Sequence, residues 1–154
     1  MPISDLCAKN LISLEPSASL QFAAQLMKKN NIGGIVVLES NGKDKPVGIL
    51  TDRDIVLSVV AENLPLTTKV EQVMSKNIIK VNESEGIATV IDKMANEGVR
   101  RMIIVNDAGT ARGIVTSDDI LQLMARELSS LGRLVGNQVK GEKPFDNKKS
   151  QLTL

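Results

Sequence analysis

This sequence predicts an α+β fold built twice, on three observations. The octet "GILTDRDI" at residues 48 to 55 returns 65 residues later as "GIVTSDDI" at residues 113 to 120. At an offset of 67, "ISDLCAKNLISL" (3 to 14) falls on "VEQVMSKNIIKV" (70 to 81), so that Lys9 and Asn10 meet Lys76 and Asn77. Each copy also runs through the same periodicities, in the order strand, helix, strand, strand, helix. A unit of about 60 residues with one helical layer cannot shield both faces of its own three-stranded sheet. The two copies are therefore expected to pack sheet to sheet about a pseudo-twofold axis.

The elements follow in order within each copy. The opening strands lie in the aligned segments ending at Leu14 and Val81. Ser17 and Ser84 are N-cap candidates, and beyond them Leu20, Ala23, Ala24 and Met27 match Ile87, Val90, Ile91 and Met94 as one apolar helix face. Ile35 to Leu38 then match Met102 to Val105 as strands rich in Ile and Val. Between these strands and the octets the offset falls from 67 to 65, where "ESNGKDKPV" faces the shorter "NDAGTAR". That difference belongs in a hairpin loop, which tolerates insertion. The octets close the second strands and open helices at Asp52 and Ser117, with Ile55, Val56 and Val59, and Ile120, Leu121 and Met124, expected inward.

The expected organisation is a first repeat over 1–62, a linker over 63–69, a second repeat over 70–128, and a helix extension with a polar tail over 129–154. "RELSSLGRLVG" extends the last helix to about Gly132 or Gly136. The lysine-rich remainder reads as a mobile tail, with Phe145 and Leu152 as candidate partner anchors.

Composition narrows the function. Hydrophobic residues at 42% and charged residues at 24% suit a globular chain, and aromatic residues at 1% leave an aliphatic core. A formal charge of +1 offers no field for drawing in nucleic acid or anionic lipid, so nucleic acid is not an expected partner. No apolar run approaches the roughly 20 residues of a membrane span. Cys7 is the only cysteine, and no basic start leads into an apolar signal region, so a reducing cytoplasm is expected. Cys7 aligns with Met74 and reads as a small apolar residue. The absence of histidine removes the usual metal ligand and general base, so no metal, catalytic residue or enzymatic activity is expected.

The repeated octet carries the chemistry. Its glycine permits close backbone approach, and the unpaired N–H groups at the helix start suit an anion. A carboxylate can accept from both hydroxyls of a ribose, and a threonine can reach a ribose or phosphate oxygen. Thr51 with Asp54, and Thr116 with Asp119, are the candidate grips. The same spacing is also a helix-capping pattern that needs no ligand. Duplication of the glycine and isoleucine beside it favours binding, because capping does not require them.

These motifs, with "EGVRRMIIVND" and "NIGGIVVLE", resemble a cystathionine-beta-synthase (CBS) domain pair, or Bateman module, over residues 2 to about 128. The family's usual proline after the Arg-Arg pair is replaced by Ile103, and by Val36 in the first copy. The resemblance implies a stand-alone regulatory module that binds AMP, ADP, ATP or S-adenosylmethionine as a regulatory ligand between its repeats. One cleft would combine Ile12, Ile32 and Gly33 with Ile114, Thr116 and Asp119; the other would combine Ile79, Val99 and Arg100 with Ile49, Thr51 and Asp54. Arg53, Arg100 and Arg101 are placed to reach a phosphate, whereas the first copy has Gly33 and Gly34 opposite the arginine pair. The resemblance also implies a homodimer joined through its helices. The alternative is a structural or protein-interaction dimerisation module with vestigial clefts. The regulated protein has no signature in the sequence.

Overall fold

The computed structural model describes residues 1–6 and 11–141. The expected role of Cys7, the anchors Phe145 and Leu152, and the mobility of the tail past residue 141 lie outside the described residues. The chain divides into two compact units, Met1–Asp119 and the segment from Ile120 onward.

The first unit holds two copies of one motif. The first copy runs through β1 (Ser13–Leu14), α1 (Leu20–Asn30), β2 (Gly34–Leu38), β3 (Pro46–Thr51) and α2 (Asp52–Ile55). The second runs through β4 (Lys80–Asn82), α3 (Ile87–Glu97), β5 (Arg101–Val105), β6 (Ala111–Thr116) and the start of α4 (Ser117–Gly141). The sheets are ordered β1-β2-β3 and β4-β5-β6, and in each the middle strand is parallel to the first and antiparallel to the third. Gly34 pairs with Thr51 as Arg101 pairs with Thr116, and each hairpin carries one irregularity, at Val37/Leu38 and at Ile104/Val105. The length difference between the copies lies in the loops after Leu38 and Val105, as the offsets require.

Both faces of the first sheet are buried, which explains why its strands are apolar throughout rather than alternating. Ile35, Val37 and Leu50 pack with Leu20, Ala23 and Met27 of α1. Val36, Leu38 and Ile49 point the other way and cluster with Ile103 and Ala111 of the second sheet. The expected sheet-to-sheet packing is this second cluster. Each large aliphatic side chain fully removed from water there contributes roughly 1.5–3 kcal/mol.

The copies also exchange their entry segments. The short 3-10 turn Ile3–Leu6 lies against the second copy, where the Ile3 N–H donates to the Glu85 carbonyl at 2.8 Å and Pro2 bridges Gly86. The matching turn Val70–Gln72 lies against the first copy, where the Val70 N–H donates to the Ala18 carbonyl at 2.8 Å and Lys69 bridges Ser19. Ile3 and Val70 have no exposed surface. Beyond Val70 the chain runs beside β3, with Ile49 and Ser75 exchanging both backbone hydrogen bonds, at 3.0 and 2.9 Å. Gly48 makes that approach possible, since a Cβ there would lie 2.5 Å from the Met74 sulfur and 3.0 Å from the Ser75 carbonyl oxygen.

Five local expectations are corrected. The α1 N-cap is Ser19, whose hydroxyl accepts from the Phe22 N–H, and the α3 N-cap is Gly86. Ser84 instead closes a turn onto the Asn82 side chain. On α1, Ala24 is exposed and Leu26 packs on the core in its stead. After α2 the chain winds as a π-helix over Val56–Ala61, and this wider turn buries Ser58 while Val56 stands 54% exposed. On α4, Ile120 and Leu123 are buried, but Leu121 and Met124 are exposed. That helix also passes through Gly132 and Gly136 to Gly141, because neither glycine adopts the left-handed conformation that ends α3 at Gly98.

Two predictions follow from this packing. Gly48→Ala is expected to destabilise the protein by about 1–3 kcal/mol through overpacking against the Met74–Ser75 segment, read from urea unfolding midpoints. The Glu85 carboxylate receives the Lys93 ammonium at 2.7 Å and the Asn82 N–H at 3.1 Å. The hydrogen bond from Lys93 outweighs desolvation and holds its pKa below the ordinary glutamate value. A lowered folded-state pKa stabilises fully above the unfolded value of about 4.3, and that stabilisation is lost as pH falls through the folded value. Glu85→Gln is therefore expected to lower the thermal midpoint near neutral pH, with the deficit shrinking as pH falls below about 4.3.

Candidate functional site

Each octet builds the same corner. Thr51 ends β3 in extended backbone, and its hydroxyl accepts from the Asp54 N–H at 3.2 Å while its own N–H donates to the Asp54 carboxylate at 2.8 Å. At the second corner, the Thr116 hydroxyl accepts from the Asp119 N–H at 3.1 Å, and the Thr116 N–H donates to the Asp119 carboxylate at 2.9 Å. The Thr116 hydroxyl also donates to that carboxylate, at 2.7 Å. Both corners are thus complete capping boxes. Every bond to the carboxylates falls on Oδ2, so Oδ1 of each aspartate takes no part in its cap. A carboxylate oxygen carries two acceptor sites, and a cap on one oxygen leaves the other for a ligand hydroxyl.

Two clefts open between the copies, within the first unit. The first, of about 210 Å³, is walled by Ile49 and Thr51 from one copy and by Ser75, Asn77, Ile78, Ile79, Val99, Arg100 and Arg101 from the other. The second, of about 360 Å³, is walled by Ile32, Gly33 and Gly34 on one side and by Arg101, Ile114, Thr116, Asp118 and Asp119 on the other. The second lies within the range of about 300–1,000 Å³ usual for small-molecule pockets. The aliphatic side chains suit the faces of a flat heteroaromatic ring, and the threonine and carboxylate groups can take hydroxyls.

The folding pattern therefore gathers Ile79, Val99, Arg100, Arg101, Ile49 and Thr51 in one cleft, and Ile32, Gly33, Ile114, Thr116 and Asp119 in the other. Asp54 is held against Thr51 but is not among the residues lining the first cleft. Arg53 is exposed on α2 and lines neither cleft. Ile12 packs on the core of the first sheet and does not line the second cleft. Ser75, Asn77 and Ile78 were not among the sequence candidates. The Lys-Asn pair repeated at 9–10 and 76–77 was their one signal, since it marks the segment that the exchange carries into the first cleft.

The corners differ in charge. The Asp52 N–H donates to the Gly33 carbonyl at 3.1 Å, as the Ser117 N–H donates to the Arg100 carbonyl at 3.0 Å. In the first copy the Asp52 carboxylate lies over Gly33, with Oδ2 3.2 Å from where a Cβ would be. In the second, the Arg100 guanidinium pairs with Asp118 at 3.1 Å and reaches the Ser117 hydroxyl at 3.4 Å. Where the family's usual proline would lack an N–H, Ile103 donates to the Ile79 carbonyl at 2.9 Å and so fixes one wall of the first cleft. Among the described residues no three His, Cys, Asp or Glu side chains form a group able to hold a metal ion, and no helix is long and apolar enough to cross a membrane.

The sequence model of the CBS domain matches residues 3–61 and again residues 70–126. The chain belongs to the CBS domain family. Its relatives include an uncharacterized protein of Methanopyrus kandleri, 34% identical over 122 residues, which are 79% of this chain and 61% of that protein. The chain thus spans under two thirds of that relative's length. The CBS domain-containing protein YhcV of Bacillus subtilis is 35% identical over 118 residues, 77% of this chain and 81% of that protein. Among solved structures, the CBS domain pair of protein MJ0100, in complex with 5'-methylthioadenosine and S-adenosyl-L-methionine, superposes with a TM-score of 0.72 at 29% identity. That match covers 82% of this chain and 98% of MJ0100's pair.

Proposed function

We propose that this CBS pair is a regulatory module that senses an adenosine derivative, AMP, ADP, ATP or S-adenosylmethionine, in the clefts between its repeats, without catalysing a reaction. The observation that carries the reading is the second cleft, where Ile32 and Ile114 provide apolar walls beside Thr116 and Asp119. The MJ0100 domain pair, with its two adenosine-containing ligands, supports the ligand class. The single cysteine suits the reducing cytoplasm.

The complete capping boxes favour one second reading, a structural or protein-interaction module with vestigial clefts, because they satisfy Thr51, Asp54, Thr116 and Asp119 without a ligand. Thermal shift separates the two. A ligand at 100 times its dissociation constant is expected to add about 2.7 kcal/mol. No shift with AMP, ADP, ATP or S-adenosylmethionine, on protein stripped of bound nucleotide, overturns the binding reading. Asp119→Ala is expected to cost about 1 kcal/mol of stability through the lost cap and to weaken binding in the second cleft at least 10-fold. A capping-sized loss with unchanged ligand affinity would remove Asp119 from the site.

Homodimerisation completes the proposal. The helical segments carry large aliphatic side chains that the chain leaves uncovered, among them Val56, Leu57 and Val60 after α2. On α4, Leu121, Met124, Leu128, Leu131 and Val135 are each 44–68% exposed and recur at alternating steps of three and four. That spacing is a heptad seam, which a second copy presenting the same seam would cover. Sedimentation is expected to give a dimer for the parent protein and a monomer for the double variant Leu128→Glu, Leu131→Glu.

A further inference from the structure

Arg101 belongs to both clefts. It lines the first beside Arg100 and the second beside Gly34 and Asp119. Its side chain lies across Gly34, with Nε 3.5 Å and Cδ 3.7 Å from the position a Cβ on that glycine would take. Gly34 is the residue that stands in β2 where Arg101 stands in β5, each paired to the threonine of its own octet. A strictly repeated sequence would bring two guanidinium groups together at this place. The glycine leaves the space to one.

That one cation has no carboxylate partner among the described residues, where the four ion pairs involve Lys69, Lys93, Arg100 and Arg112. Arg100, the other guanidinium of the first cleft, is engaged by Asp118. A planar fork on a long stem can turn to a phosphate in either cleft, but its side-on Nε–Nη edge, which grips a phosphate bidentately, can be given to only one at a time. Its resting position over Gly34 directs it to the larger, second cleft.

Resting on the adenosine-binding reading above, we infer that Arg101 is a single phosphate-binding cation shared by the two clefts, so that an adenine nucleotide in one lowers the affinity of the other for a second nucleotide. Uncharged adenosine makes no claim on the guanidinium and binds the clefts without such coupling. The effect is a coupling free energy between two sites, of a kind that typically changes affinity about 5- to 150-fold.

The test is calorimetric titration of the full chain with ATP and, separately, with AMP, ADP, adenosine and S-adenosylmethionine. Asp119→Ala serves to weaken the second cleft at least 10-fold, so that the first can be measured at ATP concentrations that leave its neighbour largely vacant. The expected result is a first-cleft dissociation constant for ATP about 10-fold lower in Asp119→Ala than in the parent protein with its second cleft filled. Adenosine is expected to show no such difference, and Arg101→Met to remove it for ATP, whereas Arg100→Met retains it. Equal ATP affinity of the first cleft with its neighbour empty or filled overturns the sharing, as does coupling that survives in Arg101→Met. Binding of adenosine or S-adenosylmethionine without AMP, ADP or ATP also overturns it while leaving the adenosine reading intact. Failure of all five ligands to bind overturns both.

Discussion

The exchange of entry segments is the constraint on which the rest of the structure depends. Val70 sits in the core of the copy that precedes it, among Leu14, Leu20 and Leu50, and Ile3 is buried against the copy that follows. Neither sheet therefore has a complete surround made only of its own repeat. The copies are linked by this crossing as well as by the Val36, Leu38, Ile49 and Ile103 cluster between the sheets. Loss of either contact exposes apolar surface on both copies, so cooperative unfolding of Met1–Asp119 is the physical consequence.

The same crossing makes the first cleft. Once Val70 is seated, Ser75 is drawn onto Ile49 by two backbone hydrogen bonds, and the chain then passes Asn77, Ile78 and Ile79 along the cleft wall. Gly48 is needed for that seating, which gives the glycine of the octet a role distinct from the one its position beside Thr51 and Asp54 suggests. It admits another stretch of the chain and not a ligand. The wall of the first cleft and the closure of the fold are thus one set of contacts, which ties cleft geometry to the packing of the two copies.

Much of this was legible because duplication supplies an internal comparison. Two offsets, 67 and 65, were enough to place the strand order of each copy and the hairpin that absorbs the difference. What could not be read were features decided by contacts distant in sequence. Ser17 and Ser84 are good caps by residue type, yet the helices begin at Ser19 and Gly86, where the exchanged segments pair with the chain. Val56 has the right spacing for an inward residue, and a π-helical turn moves it out. Gly132 and Gly136 resemble stop signals, but a glycine ends a helix only by leaving right-handed backbone, which in an exposed helix interior costs no more than about 1 kcal/mol to avoid. Ile12 and Arg53 belong to the right segments of the repeat while lining neither cleft, which a position-by-position comparison cannot distinguish.

The capping and binding readings of the octet began as rivals, and the geometry makes them compatible. Each cap uses Oδ2 of the aspartate and fixes the side chain in one orientation, while Oδ1 stays outside the cap. A carboxylate already held by its own helix loses little further freedom when it accepts a ligand hydroxyl, so the cap lowers the entropic cost of binding. The capping box is common to both copies, whereas only Asp119 lines a cleft and the charges around the corners differ. Asp52 beside Gly33 has become Ser117 beside Arg100, Arg53 has become Asp118, and Gly34 has become Arg101. The repeated residues hold the shape of two matching corners, and the unrepeated ones set the charge at each. Difference between the clefts therefore resides in the positions that the internal alignment leaves unmatched.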